Sequence, residues 1–265
     1  MSHELRPQNP NLALVGMHGP PEATGPALLE SVRRSPTEGW DIELANKAAA
    51  IAGKRYITHN MALAFDKADI TSDEYELRRP AELLELARNR KVIDIHDQPT
   101  NHGDYVMIGK RGNPKMLGAA ALLAIKAVII VSHKKSITGH VPDALVIELA
   151  RGKTDQYVSR NVEKLRACMG AVASGAMPTI DINSFDYYEQ VTEIHTARAQ
   201  ALGLAKKGRL EPFDEIPSET LALLEAETPG VAQPGRYVAD YWNGDSSSED
   251  WFGNVLRQIP APYSP

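Results

Sequence analysis

Four short apolar runs restrict what this chain can become: "NLALVGMH" (11–18), "KVIDIHD" (91–97), "AVIIVSH" (127–133) and "DALVIELA" (143–150). Each strings together Val, Ile, Leu and Ala with little polar alternation, and each closes on a His, Asp or Glu or carries one near its end. Strands of that kind are buried on both faces, which calls for a parallel or mixed sheet covered by helices. "KRYITHN" (54–60) reads as a weaker fifth strand.

Helical patterns fill the intervals. "EATGPALLESVRR" follows Pro20 and Pro21, and "NKAAAIAG" (46–53) has Asn46 placed to cap its start and Gly53 to stop it. "YELRRPAELLELARNR" (75–90) has helical spacing of Leu83, Leu84 and Leu86, with Pro80 marking where the regular part begins. "MLGAAALLAIKAVIIV" (116–131) is Ala- and Leu-rich first and β-branched after, a helix followed by a buried strand. It carries Lys126 and is too short for a membrane span. "DQYVSRNVEKLRACMGAVAS" (155–174) is the longest amphipathic helix, with Cys168 on its core face as an inert thiol.

Alternating strands and helices make residues 1–175 an α/β domain with a mixed, mostly parallel sheet. The texture then changes: residues 176–265 hold many of the prolines, the aromatic stretches "SFDYYEQV" and "RYVADYW", and the polar loop "NGDSSSED". Short strands separated by turns describe this part best, a smaller β-rich C-terminal subdomain shaping the pocket.

Charge and cysteine count narrow the function. A net charge of −5 lacks the basic excess of a nucleic-acid binder. One cysteine excludes an intramolecular disulfide and a thiolate zinc cage. The first residues, "MSHELRPQNPN", have no apolar core and do not form a signal peptide, so the expectation is a soluble cytoplasmic protein.

Ligands of open α/β sheets gather at the carboxyl ends of strands. His18 and Glu22 follow the first run here, His96 and Asp97 end the second, His133 ends the third, and Glu148 sits in the fourth. Two imidazoles and a carboxylate with an open fourth position form a recurrent hydrolytic zinc site, which a further glutamate serves by deprotonating water.

Four segments carry a resemblance in the same order. "VGMHGPPEATG" resembles the first zinc motif of the aspartoacylase and succinylglutamate desuccinylase family, relatives of the zinc carboxypeptidases; its usual form is His-Gly-Asn-Glu followed by a small residue and Gly. "YELRRPAELLEL" resembles that family's Tyr-Glu-x-Arg-Arg helix, "VIDIHDQPTNHG" the segment with its third ligand, and "ALVIELARG" the segment presenting its catalytic glutamate. The resemblance implies a zinc carboxypeptidase-like fold and a Zn2+ ion held by His18, Glu22 and His96. It implies Glu148 as general base and Arg55 in "GKRYI" as polariser of the scissile carbonyl. Asn101 falls where the family has an asparagine near the substrate, His59 is a candidate lining residue of the pocket, and Asp94 either backs the metal group or faces away.

Two departures stand out. Three residues separate His18 from Glu22 where the motif has two, because of a second proline. In "HNMALAFD" (59–66), Ala62 and Leu63 occupy the places of an Asn-Arg pair that holds the substrate's α-carboxylate, a task suited to an arginine fork. Lys134, Lys135, Arg111 and Arg151 are the candidate replacements. The implied activity is hydrolysis of an amide in a small acylated amine or amino acid. The alternatives are a zinc hydrolase acting on peptides or esters, and a non-catalytic metal-binding descendant that binds a small ligand or partner. The sequence leaves a homo-oligomer open.

Overall fold

The computed structural model describes residues 9–19, 22–97, 104–150, 154–204, 210, 213–229, 231–240 and 251–263. The chain divides into two compact units, Met1–Lys126 with Val131–Ser184, and Ala127–Ile130 with Phe185–Pro265.

The first unit contains β1 (Asn11–Val15), α1 (Thr24–Arg34), β2 (Trp40–Leu44), α2 (Lys47–Ala52), α3 (Tyr75–Ala87), β3 (Lys91–Asp97), β4 (Tyr105–Gly109) and α4 (Leu117–Leu122). After β5 (Ala127–Val131), which falls mainly in the second unit, it resumes with β6 (Ala144–Leu149) and α5 (Asp155–Ala173). Its strands run in the order β2-β1-β3-β6-β4. β1 pairs in parallel with β2 and β3, and β3 with β6, while β4 is antiparallel to β6. This is the mixed, mostly parallel sheet expected from the apolar runs. β1 is buried at every position, as a strand covered on both faces must be.

β2 and β4 are the strands that the apolar runs do not announce. In β2, "WDIEL" alternates, because Asp41 and Glu43 reach outward to Arg90 and Arg79. Residues 54–60 form bends instead of the expected fifth strand. Their backbone N–H groups turn to a side chain: those of Ile57, Thr58 and His59 all donate to the Glu76 carboxylate.

α3 starts at Tyr75 and keeps Pro80 inside it, so the proline does not mark its beginning. Tertiary bonds hold the turn ahead of Pro80: buried Glu76 takes those N–H groups and Asn46 Nδ2, and Arg79 Nε donates to the Ala45 carbonyl. α2 has the caps the sequence indicates, Asn46 accepting from Ala49 N and Gly53 in the left-handed conformation.

In the second unit β5 pairs in parallel with β7 (Asp186–His195), and β9 (Trp251–Ile259) pairs antiparallel with β7 and with β8 (Tyr237–Asp240). Two helices, α6 (Thr196–Ala201) and α7 (Ser218–Glu227), join these strands where only turns were expected. Ile194, Leu204, Leu224 and Val255 form the centre of its core. Among the described residues no helix is long and apolar enough to cross a membrane.

Candidate metal centre

β1 delivers the chain to a turn that only glycine permits. Gly16 and Gly19 adopt φ of +66° and +58°. A Cβ on Gly19 would lie 2.4 Å from the Lys54 carbonyl oxygen. This turn carries His18 and returns Glu22, whose N–H donates to the Gly19 carbonyl at 3.0 Å. Despite the extra proline, His18 Nδ1 and Glu22 Oε1 are 2.8 Å apart. Pro20 and Pro21 themselves lie outside the described residues.

β3 brings the second imidazole. His96 Nδ1 is 3.6 Å from Glu22 Oε1 and 3.7 Å from Glu148 Oε1. In the parallel register His96 sits opposite Glu148 of β6. The rings of His18 and His96 meet edge to face, with centroids 5.0 Å apart. One ligand atom from each of His18, Glu22 and His96 lies within 4.8 Å of the others, a group that could hold a metal ion.

The electrostatics of the group suit a cation. His96 is 3% exposed and Glu22 5%. Burial disfavours the imidazolium of His96, but Asp94, Glu148 and Glu22 outweigh it and hold its pKa well above the usual range. Burial likewise opposes ionisation of Glu22, yet the hydrogen bond from His18 and the charge of His96 leave its pKa lowered. Glu22 Oε2 and His96 Nδ1 are buried without a hydrogen-bond partner. Each orphaned group of this kind costs about 1–3 kcal/mol, and a divalent ion accepted by both removes that cost. The tautomer fits as well. Asp94 Oδ2 lies at an ion-pair distance of 3.0 Å from His96 Nε2, without the geometry of a hydrogen bond, so Nε2 is also buried without a hydrogen-bond partner. The carboxylate's charge favours a proton on Nε2, which leaves Nδ1 free to ligate. Asp94 and His96 share one face of β3, so Asp94 backs the group and does not face away.

Of the other residues singled out in the sequence, Arg55 is half-buried next to Lys54, whose carbonyl abuts Gly19. His59 is engaged at Nε2 by Glu74 Oε2 at 2.7 Å on the surface. Asn101 and Arg151 lie outside the described residues.

Lys134 is not brought to the group. β4 runs antiparallel to β6, so Tyr105 stands beside Glu148 while the far end of β4 lies by the start of β6. At that far end a Cβ on Gly109 would lie 2.1 Å from the Thr138 carbonyl oxygen, and one on Gly139 would lie 2.8 Å from Lys134 Cα. Exposed Lys134 therefore sits about 10 Å or more along the strands from Glu148. Arg111, two residues beyond Gly109, shares that remote end.

Two residues important to the site escape sequence reasoning. Glu76 is fully buried and fixes the segment that carries Arg55 and His59. Asp97 accepts from the N–H groups of Ala23 and Thr24 at 2.5 and 2.7 Å, capping α1 from another strand. The strand-end position of Asp97 was visible in the sequence; its partner, 74 positions earlier in the chain, was not.

Fold and group together define an α/β protein with a candidate divalent-metal site at the carboxyl ends of its parallel strands. No family model and no curated protein sequence matches the chain. Solved structures match its fold. Succinylglutamate desuccinylase from Chromobacterium violaceum is similar with a TM-score of 0.66 at 15% identity, over 97% of this chain and 87% of that one. Murine aminoacylase 3 is similar with a TM-score of 0.64 at 15% identity, over 96% and 97% of the two chains. The ectoine utilization protein EutE from Ruegeria pomeroyi is similar with a TM-score of 0.52 at 11% identity, over 96% and 82%. The fold is thus the one the four sequence segments implied.

Proposed function

We propose that the chain is a zinc-dependent amidohydrolase that removes an acyl group from an N-acyl amino acid or a related amine, with the chemistry carried by residues 1–175. The observation that carries this reading is the pair of orphaned, buried atoms, Glu22 Oε2 and His96 Nδ1, inside a His-Glu-His group beside a further carboxylate. The fold shared with a desuccinylase and an aminoacylase supports the same reading.

His18, Glu22 and His96 would hold the ion; two nitrogens and one carboxylate oxygen, with no thiolate, suit zinc. When bound, zinc supplies an acidified water and a Lewis acid for the scissile carbonyl. Glu148, with its side chain 14% exposed, takes the proton of the attacking water on its carboxylate and returns it to the departing nitrogen. Amide and water thus become a carboxylate and an amine. Arg55 donates to the carbonyl oxygen as negative charge develops there, and Asn101 contacts the substrate. Asp94 keeps the Nε2 proton of His96 in place throughout.

A second reading keeps the metal and changes the substrate to a peptide or an ester. It is favoured by Ala62, which packs against the core where the resembling family has part of its carboxylate-binding pair.

The test is turnover of a panel of N-acyl amino acids and N-acyl amines, set against peptides and esters, with zinc-loaded and chelator-stripped protein. Zinc-dependent release of amine from the acylated panel is expected. Turnover confined to peptides or esters would select the second reading, and zinc binding without turnover of any substrate would leave a binding protein.

A further inference from the structure

We infer that Asp97 is a positioning residue for the metal group, setting the separation of Glu22 from His96; the inference rests on the metal-site reading above. α1 has no cap of its own: Ala23 at its N-cap position makes no side-chain hydrogen bond, and its first turn holds no acidic residue. Asp97 fills that role from β3, its Oδ2 accepting from both Ala23 N and Thr24 N. One peptide bond separates Glu22 from Ala23, and one separates His96 from Asp97. The two candidate ligands, distant in sequence, are therefore each a single residue from a shared pair of hydrogen bonds. The described backbone bond of Glu22 itself goes to Gly19, within the same turn, and does not tie Glu22 to β3. Strand alternation directs His96 and Asp97 to opposite sides of β3, which lets one ligate while the other caps the helix. A negative charge at a helix N-terminus is favourable in its own right, and here it anchors a ligand-bearing turn.

Asp97 acts through backbone geometry, so metal affinity is the readout. The zinc dissociation constant would be measured by competition with a chromophoric chelator for the wild type, Asp97→Ala, Asp97→Asn and Leu28→Val. Leu28 is fully buried in α1, and its variant destabilises the helix without touching Asp97. The melting temperature of each metal-free protein would be measured alongside. Asp97→Ala is expected to weaken zinc binding about 10–100-fold, the range for residues that orient ligands. Asp97→Asn keeps an acceptor oxygen and should stay within about threefold of the wild type, since Asn and Asp cap equally well. Leu28→Val should lower the melting temperature with zinc affinity unchanged.

A dissociation constant for Asp97→Ala within about twofold of the wild type overturns the inference while leaving the metal site intact. So does an equal loss of affinity in Leu28→Val, which would make the effect one of general stability. A wild type that binds no zinc removes the metal-site reading itself. Should Asp97→Ala not fold, Asp97→Ser, whose hydroxyl is too short to span both N–H groups, is judged by the same criteria.

Discussion

Glu76→Gln removes a single charge at constant size, and the structure sets the cost. Glu76 Oε1 accepts from Asn46 Nδ2 at 2.7 Å and Ile57 N at 2.8 Å. Oε2 accepts from Thr58 N at 2.6 Å and His59 N at 2.7 Å. Asn46 cannot turn its amide to adapt, because its Oδ1 is occupied by Ala49 N. Whichever way the glutamine amide points, its NH2 faces at least two donors. Hydrogen bonds to a charged group contribute about 1.5–3 kcal/mol each. Ile57 and Thr58 are exposed enough for water to take over in part, so the lower bound applies and the expected loss is about 3 kcal/mol.

The pH dependence has a definite sign. Burial raises the pKa of Glu76, but the bonds from Asn46, His59, Ile57 and Thr58 outweigh it and leave the pKa lowered. A carboxylate with a depressed folded-state pKa stabilises fully above its unfolded value and loses that contribution as pH falls through the folded value. The gap between wild type and Glu76→Gln should therefore be widest above the ordinary glutamate pKa of about 4.3 and should shrink as pH falls through the lowered folded-state value. Urea unfolding followed by circular dichroism across that range measures it, and amide exchange at Ile57, Thr58 and His59 locates it. A gap below about 1 kcal/mol at neutral pH, or one that widens in acid, would refute the view of Glu76 as a charged anchor.

Glu148→Gln should cut turnover by a factor of about 10²–10⁴ with zinc content per chain unchanged; substantial remaining turnover would assign the proton transfer to another group. Asp94→Asn leaves His96 Nε2 beside a weaker acceptor, and zinc affinity should fall about 10–100-fold by chelator competition. Two glycine-to-alanine changes separate strain from crowding. Gly53 has φ of +64° with nothing within 4 Å of an added Cβ, so Gly53→Ala should cost about 1–2 kcal/mol in urea unfolding. Gly19 combines φ of +58° with a backbone clash at 2.4 Å, so Gly19→Ala should cost more and should weaken zinc binding as well.

How much of this could be read from the sequence depended on whether the deciding interaction was local. β1, β3 and β6 were legible because burial on both faces leaves an uninterrupted apolar run, and the histidines and carboxylates at the ends of such runs stand out against it. β2 was hidden because an edge strand shares its polar alternation with many loops: Asp41 and Glu43 become intelligible only once Arg90 and Arg79 are seen beside them. The bends at 54–60 passed for a strand because "RYI" has β character. What decides their shape is Glu76, and nothing local announces that a helix will absorb three successive N–H groups of an earlier loop.

The metal group shows the same division. His18 and His96 were visible as strand-end residues, but the two prolines before Glu22 made its reach a matter of tertiary structure, and the bond that settles the entry of α1 comes from Asp97 on another strand. Lys134 is the converse case. A lysine pair following an apolar run looked suited to a substrate carboxylate, yet the run it follows does not end where β3 and β6 end. Strand direction is not encoded in an apolar run: the Val131 carbonyl at the end of that run accepts from Lys110 N just past the end of β4, and β4 runs antiparallel to β6, so this end lies away from the site. The residues that sequence alone assigns to such a centre are therefore safest on strands whose parallel register is known. For each of the others, the quantity to establish first is which end of the sheet it occupies.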